Sequence, residues 1–78
     1  MPRFLDAHSL MGLDEDTLRN LQNAPPDEFG IKAVNLMYNQ IDDKFFCLTD
    51  GPSKESVEKH HNKHGLSCEW ITEVKTTA

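Results

Sequence analysis

Between Ser53 and Gly65 the chain is punctuated as a helix that has almost nothing apolar to bury. Gly51-Pro52 interrupts whatever precedes it. Ser53 is the N-cap, and Gly65 supplies the left-handed residue past the C-terminus. Val57 is the only apolar residue inside those limits. On a wheel of about 100° per residue, Val57, His60, His61 and His64 share an arc of about 100°, while Lys54, Glu55, Glu58, Lys59, Asn62 and Lys63 lie elsewhere. The face that should meet a sheet is therefore mostly imidazole. An ordinary core helix is not built this way.

The rest of the chain reads around that helix. Residues 3–9, RFLDAHS, set Phe4, Asp6 and His8 against Leu5 and Ala7 with the period of a short strand. LDEDTLRNLQNA then reads as a helix with Asp14 as N-cap, Leu13 stapled on Leu18, and Leu18 and Leu21 facing inward. Pro25-Pro26 stops it, and PPDEFG is a loop. IKAVNLMYNQI and KFFCLTD are two strands joined at Asp42-Asp43, and CEWITEVK, with Cys68 at its start, is the last strand. The order strand, helix, strand, strand, helix, strand predicts an α+β ferredoxin-like βαββαβ fold. Its four-stranded antiparallel sheet has the order 4-1-3-2, with both helices on one face. We read residues 1–78 as a single domain of this kind.

Such a domain has a thin core, because only 37 % of its residues are hydrophobic. Chains of this size commonly need a metal, disulfides or a partner subunit. With 8 Lys and Arg against 13 Asp and Glu the formal charge is −5, which disfavours nucleic acid and anionic membranes as partners. No run approaches the roughly 18 apolar residues of a membrane span. The start MPRFLDAH lacks an apolar signal segment. A cytoplasmic protein is the expectation. Two cysteines are too few for a disulfide scaffold. A Cys47–Cys68 bridge would have to cross strand one, about 9 to 10 Å, beyond disulfide reach.

The expected topology gathers the remaining chemistry. His60 and His64 stand at i, i+4, and His61 and His64 at i, i+3, the spacings at which two helical side chains can grip one ion. The second helix returns to the end of the sheet where strand one finishes at His8 and strand four begins at Cys68. Asp6 points the same way as His8. Cys47 has the parity of Phe45 and is expected to share the open sheet face with Asp6, although a buried small hydrophobe is the commoner role for such a cysteine. Imidazole with carboxylate suits nickel, copper or zinc, and the sequence names no single one of them. No paired CxxC or HExxH is present, which argues against a structural zinc or a metalloprotease.

FLDAHS, FCLTDGPSKESVEKHH and ITEV resemble the small, dimeric, ferredoxin-like nickel-binding proteins long grouped as a domain of unknown function. The resemblance covers most of the chain. It is carried by Asp6-x-His8, Phe46-Cys47, Pro52-Ser53, His61 followed by Gly65, and Glu73-Val74. It implies the fold derived above, a homodimer, and histidine-rich nickel sites near the N-terminus and at the subunit interface, with His8, His61 and Asp6 as the ligands. His60 and His64 are additional to that pattern. The Pro25-Pro26 loop shortens a first helix that is usually longer.

The expected function is binding of nickel or a similar divalent ion by a non-catalytic homodimer, in storage, buffering or sensing. The candidate ligands are His8, His61, Asp6, His64, His60 and Cys47, with affinity expected to depend most on His61 and His8, less on His64 and least on His60. The dimer is expected to form through an open sheet face carrying Phe4, Phe45 and Met37. The alternative is a small ferredoxin-like dimeric enzyme, of monooxygenase or isomerase type, with His61, Asp6 and Cys47 as acid/base or nucleophilic groups in a pocket between sheet and helices.

Overall fold

The computed structural model describes residues 1–78. Its elements are β1 (Arg3–His8), α1 (Glu15–Asn23), β2 (Lys32–Asn39), β3 (Lys44–Asp50), α2 (Lys54–Lys63) and β4 (Trp70–Val74). The local signals act where they stand in the sequence. Asp14 accepts the Thr17 N–H at 2.8 Å and opens α1, and Ser53 accepts the Ser56 N–H at 3.1 Å and opens α2. Asp43 and Gly65 take the positive φ that the β2–β3 turn and the end of α2 require.

The sheet runs β2-β3-β1-β4, with β1 antiparallel to both β3 and β4 and β2 antiparallel to β3. This is the ferredoxin-like order expected, read from the other edge. β4 begins at Trp70, so Cys68 precedes the strand rather than opening it. A bulge between Ala33 and Asn35 resets the parity of β2, so that Ala33 and Leu36 pair with Thr49 and Cys47 on one face. No helix is long and apolar enough to cross a membrane.

One expectation about the sheet is overturned. Phe4 and Phe45 do not lie on the open face; they are 3 % and 1 % exposed. Phe45 and Cys47 pack with Leu18 of α1, and Phe4 packs with Val57 of α2 and Ile71 of β4. Asp6 and Cys47 are paired across β1 and β3 on this same helix-facing side. Strand alternation sorts residues into two sets but does not say which set the helices cover. The uncovered face instead carries Leu5, Phe46 and Leu48, half-buried, with Met37 and Trp70 exposed.

Candidate metal centre

Asp6 and His8 are two residues apart on β1 and so stand on one face of the sheet. Cys47 faces Asp6 from β3. His61 comes down from α2 one turn after Val57, the residue that seats the helix on Phe4 and Ile71. The imidazole stripe is inward at this position because Val57 is fully buried and His61 is 2 % exposed. A carboxyl oxygen of Asp6, one ring nitrogen each of His8 and His61, and the Cys47 sulfur all lie within 4.8 Å of one another.

The hydrogen bonds around this group orient it. His61 Nδ1 donates to the Val57 carbonyl at 2.8 Å. A carbonyl can only accept, so the proton is on Nδ1 and the neutral ring presents the Nε2 lone pair to the pocket. His8 Nδ1 sits 3.4 Å from the Ser9 carbonyl, a longer contact of the same sense. The two Nε2 atoms then lie 3.2 and 3.3 Å from the same Asp6 oxygen, Oδ1. Cys47 Sγ lies 3.5 Å from His8 Nε2. Backbone carbonyls holding the far nitrogen are the usual way of fixing an imidazole for coordination.

Electrically the pocket is built around one buried carboxylate. Asp6 is wholly buried, and neither carboxyl oxygen has a hydrogen-bond partner. Burial pushes the Asp6 carboxyl up, but His61 and His8 outweigh it and leave it below the ordinary carboxylate value. The same burial pushes His61 down, and the Asp6 contact outweighs it, so His61 holds a proton more tightly than a free imidazole. Burial, with Asp6 beside it, drives the Cys47 thiol far up and keeps it protonated.

The structure thus divides the six sequence-predicted ligands. Asp6, His8, Cys47 and His61 converge; His60 and His64 do not join them. His64 caps the end of α2 and is exposed. The helical wheel set it on the inward arc, but α2 ends one residue earlier, at Lys63. His60, expected at the solvent edge, is half-buried and bonds Asp27 Oδ2 through Nδ1 at 2.6 Å. Asp27 was missed because it lies in the PPDEFG loop, 33 residues from His60. The only hint was an acidic residue held behind two prolines. Cys68 is a free, half-buried thiol outside either group.

Residues 4–74 match the model of a family described as "Nickel responsive protein SCO4226-like". The crystal structure of SCO4226 from Streptomyces coelicolor A3(2) is similar, with a TM-score of 0.79 and 26 % sequence identity, covering 97 % of this chain and 99 % of that one. No protein of curated function matches the sequence.

Proposed function

The chain belongs to the SCO4226-like family of nickel responsive proteins, and from that membership we propose that it binds nickel or another divalent transition ion, copper and zinc included. Asp6, His8, His61 and Cys47 are the ligands in this reading, and a homodimer stores, buffers or senses the ion in the cytoplasm. The observation that carries it is the buried Asp6 carboxylate, whose oxygens have no hydrogen-bond partner although two imidazole nitrogens lie close to one of them. Three electron-rich atoms so close together call for a cation among them. Ligands about 2.0 to 2.3 Å from a tetrahedral ion stand roughly 3.3 to 3.8 Å apart. The distances of 3.2, 3.3 and 3.5 Å within the group lie toward the short end of that spacing, the first just below it.

Titration calorimetry with Ni²⁺ on single variants tests the ligand set. His61→Ala and His8→Ala should each lower affinity by at least about 100-fold, since losing an outer partner of a ligand already costs about 10 to 100-fold. His60→Ala and His64→Ala should leave the tight phase in place. If His60→Ala abolishes it and His61→Ala does not, the ion lies outside the buried group.

The apolar set on the uncovered sheet face, Leu5, Phe46, Leu48, Met37 and Trp70, supports the homodimer, taking the place of Phe4 and Phe45. Sedimentation at micromolar concentration should give twice the 8.9 kDa chain mass. Leu48→Lys, at the middle of that face, should reduce it to the single chain. A parent chain that sediments as a monomer overturns the dimer.

The enzyme reading has one feature in its favour, an apolar cavity reaching His61 and Cys47. The Cys47 thiol held protonated weighs against a nucleophile there.

A further inference from the structure

A cavity of about 170 Å³ lies between the end of α1, the strands β2 and β3 and the C-terminal turn of α2. Apolar side chains form most of its wall. The polar groups on that wall differ in depth: Cys47, His61 and Thr49 are buried, Asp27 and His60 half-buried, and His64 and Lys63 exposed. The cavity therefore has a mouth at Asp27, His60 and His64 and a floor at Cys47 and His61. The Thr49 hydroxyl, 2 % exposed and without a partner, also lines it.

The mouth has ligand geometry of its own. His60 and His64 are one turn apart on α2, with ring centroids 4.9 Å apart. The Pro25-Pro26 loop brings Asp27 against them, and its orientation is held because Oδ1 accepts the Phe29 N–H at 2.9 Å. One ligand atom from each of the three lies within 4.8 Å of the other two. Asp27 Oδ2 already meets His60 Nδ1, the bond an ion would replace. Lys63 is the competing cation, 4.0 Å from Asp27 Oδ2, but it is closer to Glu28, at 2.9 Å. The His60 and His61 rings are 5.4 Å apart, so the mouth and the floor adjoin.

We propose that Asp27, His60 and His64 form a second divalent-metal site, which captures an ion at the mouth of the cavity before it passes to Cys47 and His61 at the floor. Two imidazoles, one carboxylate and water suit ions of the nickel, copper and zinc series. With ligands half-buried or exposed and no thiol, this site should bind more weakly and exchange faster than the buried one. The existence of the site does not depend on the buried group; the direction of passage rests on the reading above.

Cobalt(II) tells the two apart, because only the buried site can add a thiolate charge-transfer band. The parent chain should bind two Co²⁺ per chain, one with the band. Asp6→Asn should keep one, without it. The His60→Ala/His64→Ala double variant should keep one, with the band, and develop it in stopped flow at least tenfold more slowly at unchanged final affinity. Asp27→Asn should weaken the band-free ion and slow loading in the same direction. One Co²⁺ per chain in the parent, or a double variant that still binds two, overturns the mouth site. A double variant that loads at the parental rate overturns the capture role. No thiolate band in the parent removes Cys47 from the ligand set and overturns the passage to it, while the number of ions kept by Asp6→Asn and by the double variant still decides the mouth.

Discussion

The Asp6→Asn variant is expected to melt higher than the parent chain at pH 9 without metal, and to lose most of its response to Ni²⁺ at pH 7.5, keeping only that of the weaker site at Asp27, His60 and His64. Asp6 is fully buried with both oxygens unpartnered. Once His61 has given up its proton, nothing in the pocket offsets the charge. Leaving one member of a buried pair uncompensated costs about 3 to 5 kcal/mol. Asparagine has nearly the same shape, carries no charge, and its amide can donate to the Nε2 of His8 or His61. Relieving an unsatisfied buried group contributes about 1 to 3 kcal/mol, which for a domain of this size corresponds to at least about 4 °C in Tm. The same change removes the only carboxylate of the buried set, so ion affinity should collapse. Calorimetric melting with and without Ni²⁺ reads both effects. If Asp6→Asn melts lower at pH 9 and responds to Ni²⁺ as strongly as the parent chain, the carboxylate is a structural group.

The second large effect is the pH dependence of stabilisation by Ni²⁺. An ion that binds only the folded chain contributes about 2.7 kcal/mol at 100 times its Kd, a rise of roughly 10 to 20 °C in Tm. Imidazole must be neutral to coordinate, so the gain should be full near pH 8 and fade below about pH 6. The raised value of His61 brings that competition in early on the way down. The metal-free chain should run the other way. Because His61 is raised, its contribution is present below about pH 6.5 and lost as pH climbs through the raised value. Because Asp6 is lowered, its contribution is present above about pH 4 and lost as pH falls through the lowered value. This pair therefore makes the metal-free chain most stable between about pH 4 and 6.5, where the metal-bound chain loses its advantage. Melting curves from pH 4 to 9 with and without Ni²⁺ should diverge upward in pH. Shifts of equal size at pH 5 and pH 8 would assign the ion to carboxylates instead of histidines.

The elements, their caps and their order were legible in the residues themselves. Asp14, Ser53, Gly65 and the Asp42-Asp43 turn act within a few residues of where they stand, and rules of that range can be read along a chain. The sheet order followed from that succession, because few topologies join six such elements without crossing. That β1 brings Asp6 and His8 to one face, and that α2 carries histidine where it should carry leucine, was also visible as pattern.

What the tertiary structure alone decided is which partners those patterns meet. Period-two alternation put Phe4, Phe45, Asp6 and Cys47 together, but both faces of this sheet carry apolar residues. Only the docking of Leu18 and Val57 shows that this set is the covered one. The wheel pointed His64 inward, yet α2 ends at Lys63 and leaves it exposed. His60 looked peripheral until the loop after Pro26 delivered Asp27 to it from 33 residues away. Local sequence determines which side chains share a direction. Whether that direction ends in solvent, in a carboxylate or in a second imidazole is set by long-range packing, which brings together residues with no spacing rule to connect them.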